Sequence, residues 1–211
     1  MMNTKNNQSG RSMVEMMGYL MVTMSLIVAI GSIVSSAFDN HKYSVASLQL
    51  GELVGGIVKS SAIDVDYTQV INNINAGKRE FIPNTFRVVG TKIYHAFGGE
   101  VSVGTCASTT SEFCKDREDK FFVVYDNLSR KQCIELALKD WSKNQYADLY
   151  ALIIGSNVWY WQAYGTGDLK SSSGSGNVKA FPVQRSQLTG TSDTDTGACA
   201  NSGNKIIWVF N

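Results

Sequence analysis

Residues 10–38 read GRSMVEMMGYLMVTMSLIVAIGSIVSSAF, and this stretch decides the fold. From Met16 to Phe38 it carries no charge. At about 1.5 Å per residue, a helix over that run is long enough to cross the roughly 30 Å hydrocarbon core of a bilayer. Ahead of it the chain is polar, with Lys5 and Arg11 as the only charges from Met1 to Arg11. Because the basic end comes first, it is expected to stay on the cytoplasmic side while the rest of the chain is exported. An ordinary secretory signal has a shorter apolar region followed by an Ala-x-Ala-like site, and Ser35-Ser36-Ala37-Phe38 is a poor version of one. A plain membrane anchor accounts for the length but not for Glu15, which stands one residue before the uncharged run. A carboxylate at that depth costs on the order of 3 kcal/mol unless a partner neutralises it, so an acid there reads as a functional residue.

The rest of the composition fits an exported protein. At 211 residues and 44% hydrophobic content, the chain can build one ordinary domain with a real core. A formal charge of +1 supplies no basic field for nucleic acid, which is therefore not indicated as a partner. Charged residues make up 18%, against a usual share of about 25%, so Ser, Thr, Asn and Gly carry the surface polarity. None of the four cysteines forms a C-x-x-C pair, and His41 and His95 lie far from them in sequence. A zinc ribbon or finger needs paired ligands at short spacing, twice over, so two disulfides in an oxidising compartment are expected instead.

Gly10-Arg11-Ser12-Met13-Val14-Glu15, followed by the apolar run, resembles the class III signal of type IV prepilins and the related pseudopilins. The resemblance implies cleavage between Gly10 and Arg11 by a prepilin peptidase, methylation of the new amino terminus, and retention of the apolar helix as the fibre core. It also implies that Glu15 registers an incoming subunit by pairing with the amino terminus of a neighbour, a charge pair that is strong in a low dielectric. One departure stands out. The family usually begins its mature chain with Phe or another apolar residue, and here that residue is Arg11. Arg11 and Glu15 lie one helical turn apart and are able to pair within one chain.

Past Phe38 the helical pattern continues, with Ala46, Leu50, Leu53 and Ile57 on one face. Ser44, Ser47, Gln49, Glu52 and Ser60 are assigned to the polar side, which lacks the Lys and Arg of a membrane-surface helix, so docking on a sheet is expected. Gly51, Gly55 and Gly56 lower helix propensity by up to about 1 kcal/mol each and suit a bend or close packing between subunits. Strands are expected over Thr85 to Val89 and Lys92 to Phe97 around a turn at Gly90, over Lys120 to Tyr125, over Ala151 to Tyr164, and over Lys205 to Phe210. Ser129 to Gln132 has the form of a capping box opening a helix that buries Cys133, Leu136 and Ala137 or Trp141, and Ser171 to Asn177 has loop composition. The fold class is therefore α+β, pilin-like: a long N-terminal helix, membrane-spanning in its first half, packed on an antiparallel sheet. The expected divisions are a leader at 1–10, a transmembrane and assembly helix at 11–38, its amphipathic continuation at 39–62, and a globular head at 63–211.

Four cysteines allow three pairings. Cys106 and Cys114 bracket a short Ser/Thr loop and would close a small ring, Cys133 then joining Cys199 across a much longer loop, nominally worth about 4 kcal/mol. The second pairing is similar to the disulfide of type IVb pilins, in which a helix cysteine after an Asp-x-Leu-Ser/Thr-like turn joins one near the chain end. Asp126-Asn127-Leu128-Ser129 ahead of Cys133, and Cys199 near Asn211, match that context.

Enzymatic activity is not expected, and neither is a cofactor or metal. No G-x-S-x-G, H-E-x-x-H or Gly-rich phosphate loop with a following Lys occurs, and Asp64-Val65-Asp66 lacks the other ligands of a calcium loop. In Trp159-Tyr160-Trp161 the two tryptophans share one face of a strand, either as core or as a ligand surface. The function expected is a structural subunit of a type IVb-like pilus, serving adhesion, aggregation or a related role. Its expected partners are copies of itself, a prepilin peptidase, the inner-membrane assembly machinery and, before assembly, the membrane. Its expected location is the bacterial inner membrane as precursor, then the extracellular pilus. A minor pilin or type II secretion pseudopilin is the nearest alternative. A membrane-anchored adhesin is a more distant one, and it has no need of Gly10 or Glu15.

Overall fold

A computed structural model describes residues 9–61, 67–106, 120–141, 148–155, 157–160, 178–189, 197–199 and 202–211, without the side chains of 9–12, 159–160 and 178–180. The expected loop at Ser171 to Asn177 and the Asp64–Asp66 segment lie outside the described residues. The contacts divide the chain into one unit over Met1–His41 and a second over Lys42–Asn211. Helix α1 (Ser9–Ser61) contributes to both. It runs unbroken through Gly51, Gly55 and Gly56, and at Gly51 and Gly56 a methyl group would meet nothing within 4 Å.

The second unit is built on one eight-stranded sheet. Its strands are β1 (Arg87–Val89), β2 (Lys92–Tyr94), β3 (Glu100–Thr105), β4 (Phe121–Leu128), β5 (Leu149–Ile154), β6 (Asn157–Tyr160), β7 (Val178–Ala180) and β8 (Asn204–Phe210), in the spatial order β1-β2-β3-β4-β8-β5-β6-β7. Every pairing but one is antiparallel. β7 joins β6 in parallel, so the expected all-antiparallel sheet holds only from β1 to β6. The terminal strand β8 lies between β4 and β5, with Val123 opposite Trp208 on one side and Leu152 opposite Trp208 on the other.

The hairpin at Gly90 forms as expected, with Val89 opposite Lys92 and Gly90 at φ 62°, a conformation glycine adopts without strain. Thr85 stands outside β1, where its backbone carbonyl and hydroxyl serve α1 instead. Over residues 151–160 the expected strand from Ala151 to Tyr164 is a hairpin, in which β5 turns at Gly155 (φ 60°) and returns as β6; residues 161–164 lie outside the described residues. The apolar run ahead of Gly155 hides the turn, because β5 is buried along its whole length and does not alternate in polarity. Among the described residues the unit also holds three α-helices, α2 (Tyr67–Asn75), α3 (Arg130–Leu138) and the short α4 (Arg185–Thr189), and a 3-10 turn at Arg79–Phe81.

The core sits on the sheet face that α1 covers. Ala46, Leu50, Leu53 and Val54 are fully buried there and Ile57 nearly so, as the helical spacing requires. Each large side chain among them contributes about 2 kcal/mol by leaving water. They meet Phe121, Val123, Tyr125 and Trp208 from the centre of the sheet. α2 adds Val70, Ile71 and Ile74, and α3 adds Cys133, Leu136 and Ala137. The opposite sheet face is apolar as well, with Tyr150, Ile153, Val158 and Val209 buried in a second cluster.

Candidate assembly segment and its head anchors

Within the first unit, the large apolar side chains from Met13 to Phe38 are exposed, Val28 at 73% and Ile27 at 69%. α1 is long and apolar enough to cross a membrane. Three of the hydroxyls embedded in this stretch are answered by its own backbone. Thr23 Oγ1 donates to the carbonyls of Tyr19 and Leu20, each at 3.0 Å, and Ser25 and Ser32 donate to Val22 and Ala29, each at 2.8 Å. Such back-bonding lets Ser and Thr lie in an apolar medium without an unpaired hydroxyl. Glu15 is exposed on α1. Gly10 and Arg11 are helical, with their side-chain environments outside the described set.

Within the second unit, α1 is fastened to the sheet by polar contacts that its periodicity does not show. Gln49, assigned by its spacing to the polar side, is 2% exposed. Its Nε2 donates to the Thr85 carbonyl at 2.6 Å, and its Oε1 accepts from the Ala96 N–H at 2.9 Å, so one amide ties two loops to the helix. Ser47 is buried too, which corrects its assignment to the polar side. Glu52 Oε2 accepts from Thr85 Oγ1 at 2.7 Å. Tyr125 donates its hydroxyl to the Ala46 carbonyl at 3.1 Å, and burial pushes the phenol well above its usual range, so it stays a neutral donor. In sequence nothing local to Gln49 signals this, because its partners lie 36 and 47 residues away.

The capping box opens α3 as expected. Ser129 Oγ accepts from the Gln132 N–H at 3.3 Å, and the Ser129 N–H donates to Gln132 Oε1 at 2.9 Å. Just before it, β4 bulges and Asn127 takes a left-handed conformation, φ 57°, its N–H donating to Asp126 Oδ1 at 2.7 Å. This turn delivers Cys133, fully buried, to Cys199 in a disulfide that joins residues 66 apart. The segment carrying Cys199 is held by α3 and α4: the Cys199 N–H donates to the Leu188 carbonyl at 3.1 Å, and Arg130 Nη2 donates to the Thr189 carbonyl at 2.6 Å. Cys106 is also disulfide-bonded. Cys114, its expected partner, lies outside the described residues.

The aromatic pair is only partly placed. Trp159 lies in β6 opposite Leu152, its side chain outside the described set, and Trp161 lies outside the described residues altogether. The two histidines separate. His41 is exposed near the unit boundary, whereas His95 is buried between β2 and β3. Desolvation holds the His95 imidazole below its usual range, and the nearby Asp126 backbone and carboxylate only partly offset it. Among the described residues, no three His, Cys, Asp or Glu side chains are grouped to hold a metal.

No curated protein matches the sequence. The family model described as PilS N terminal matches residues 56–211, which is most of the chain and nearly all of the second unit. An apolar helical segment exposed in one unit, a helix continuation docked on a sheet in the other, and this match agree, and the chain belongs to the PilS family of type IV pilins.

Proposed function

We propose that this chain is the subunit of a type IVb-like pilus, made as a precursor in the bacterial inner membrane, cut after Gly10 by a prepilin peptidase, and polymerised through residues 11–38. The carrying observation is the exposed apolar run from Met13 to Phe38, directly after Gly10 and with Glu15 at its head. In a bilayer, lipid tails cover that surface. In a fibre, the same surfaces of neighbouring subunits cover one another. Transfer between these two apolar settings needs little hydrophobic driving force, so packing of small residues and specific polar pairs decides register. Gly18, Ser25, Ala29, Gly31 and Ser32 provide the small surfaces, and Glu15 provides the pair. Residues 39–62 then join this assembly helix to the head at 63–211, which forms the outside of the fibre. A repeated head-to-tail contact that does not close generates a helical filament. The subunit acts by assembly and carries out no reaction.

The test is to shear surface filaments from the native host carrying the wild-type chain or Glu15→Ala. Wild-type cells should yield filaments made of this chain. The variant should be exported and cleaved yet reach the sheared fraction at a small share of the wild-type amount. Normal filament yield from Glu15→Ala would contradict the registering role, and a wild-type chain found only in the membrane fraction would contradict the fibre reading.

A further inference from the structure

The turn between β2 and β3 is built around an imidazole whose hydrogen bonds suit one protonation state. His95 is 3% exposed. Its Nε2 lies 3.0 Å from the Asp126 carbonyl oxygen, which only accepts, so Nε2 carries the proton and donates. Its Nδ1 accepts from the Phe97 N–H at 3.2 Å, so Nδ1 is bare. The neutral Nε2–H form satisfies both partners. A second proton, on Nδ1, would face the Phe97 N–H, donor against donor. Gly99 packs closely against the ring, because a methyl group there would collide with His95 Nε2 and the Asp126 carbonyl. On one side the imidazole stacks on Tyr125, with ring centres 4.8 Å apart and planes at 17°.

The same turn is fastened to the helix. The Ala96 N–H donates to Gln49 Oε1 at 2.9 Å, and the turn closes on itself through Gly98 N–H to the His95 carbonyl at 2.8 Å and His95 N–H to the Gly99 carbonyl at 3.0 Å. Phe97 packs against Tyr43 of α1, their ring centres 5.1 Å apart. The charged and titratable groups around this site come from several elements. From β4 come the Asp126 carboxylate, paired with Lys205 of β8 at 3.4 Å, and the neutral Tyr125 phenol. From β3 comes Glu100, paired with Lys92 of β2 at 2.8 Å. From α3 comes Lys131, over the Tyr43 ring at 6.0 Å. Among the described residues, Asp126 is the group that favours an imidazolium at His95, and its carboxylate is paired with Lys205.

We propose that His95 is an acid-sensitive latch: neutral, it clasps the His95–Gly99 turn between β4 and the second half of α1, and protonated, it releases the turn and uncovers Phe97 and Tyr43. The latch opens one turn and leaves the Leu50–Trp208 core in place, a local opening below the global unfolding free energy. The sign follows from burial. The folded chain holds His95 below the usual imidazole value of about 6.5, so the clasp is fully present above that pH and is lost as pH falls through the lower folded value.

The test uses the full chain in detergent micelles, following amide exchange from about pH 7.5 to about pH 5 with correction for intrinsic exchange rates. The Ala96, Phe97 and Gly98 amides should lose protection by up to tenfold per pH unit from about pH 6.5 down to the lower folded titration of His95, and no further below it, while β4 and β8 amides hold theirs. A His95→Gln variant should show a flat profile in the turn, whatever its baseline. Nitrogen NMR of a His41→Asn variant, in which His95 is the sole imidazole, should place its folded titration at the pH where the loss of protection levels off. Unchanged protection between about pH 6.5 and that titration would overturn the proposal. So would an equal acid loss in His95→Gln, or an Nδ1–H tautomer at neutral pH.

Discussion

Residues 13–38 and residues 43–57 belong to one helix and are both rich in apolar side chains, yet they settle their hydrophobicity in opposite ways. In the first stretch Val28 and Ile27 are exposed and the Thr23, Ser25 and Ser32 hydroxyls bond to their own helix; in the second Leu50 and Leu53 are fully buried and Gln49 reaches to loops far away in sequence. The first stretch is exposed, with large apolar side chains along its length. The second is apolar on one stripe and finds its partners inside the chain. A helix with both halves is able to hold a folded head while leaving the other half to a membrane or to neighbouring subunits.

This contrast is open to mutation. The largest separation is expected from Leu53→Ala against Leu26→Ala. Loss of the buried side chain should lower head stability by about 3 kcal/mol, whereas Leu26→Ala should leave head unfolding within about 0.5 kcal/mol of wild type. Thermal unfolding followed by near-ultraviolet circular dichroism, which reports the packed Tyr125–Trp208–Trp141 rings, checks both. Equal effects at the two sites would erase the distinction between the stretches. A smaller effect sharpens it: Gln49→Leu leaves the Ala96 N–H and the Thr85 carbonyl without their partner and should cost about 2 kcal/mol in the same measurement. No loss there would mean that apolar packing alone seats the helix.

The sequence carries the two stretches unequally. The uncharged run, its preceding Glu15, the Leu50–Ile57 stripe, the Ser129 capping box and the Gly90 hairpin are all legible, because each rests on local spacing. Gln49 and Ser47 are not, because a polar residue reads as exposed until its distant partners are known. α2 leaves a signal in the spacing of Val70, Ile71 and Ile74, and β3 leaves one in its alternation from Val101 to Thr105 directly after the Gly98-Gly99 turn, so both are open to local reading. The central place of β8 and the parallel β6–β7 pair depend on long-range pairing, which no local pattern encodes. His95 is visible only as a residue between Tyr94 and a Gly98-Gly99 turn, and its clasp depends on the Asp126 carbonyl 31 residues on.

The amino-terminal sequence and mass of the subunit purified from its native host test the central claim most directly. A chain beginning at Arg11, with residues 11–38 retained, is the predicted result, since an assembly helix has to survive processing. An intact Met1, or a terminus after Phe38, would contradict it: the first leaves a plain membrane anchor, and the second leaves a conventionally secreted head without the segment that builds the fibre.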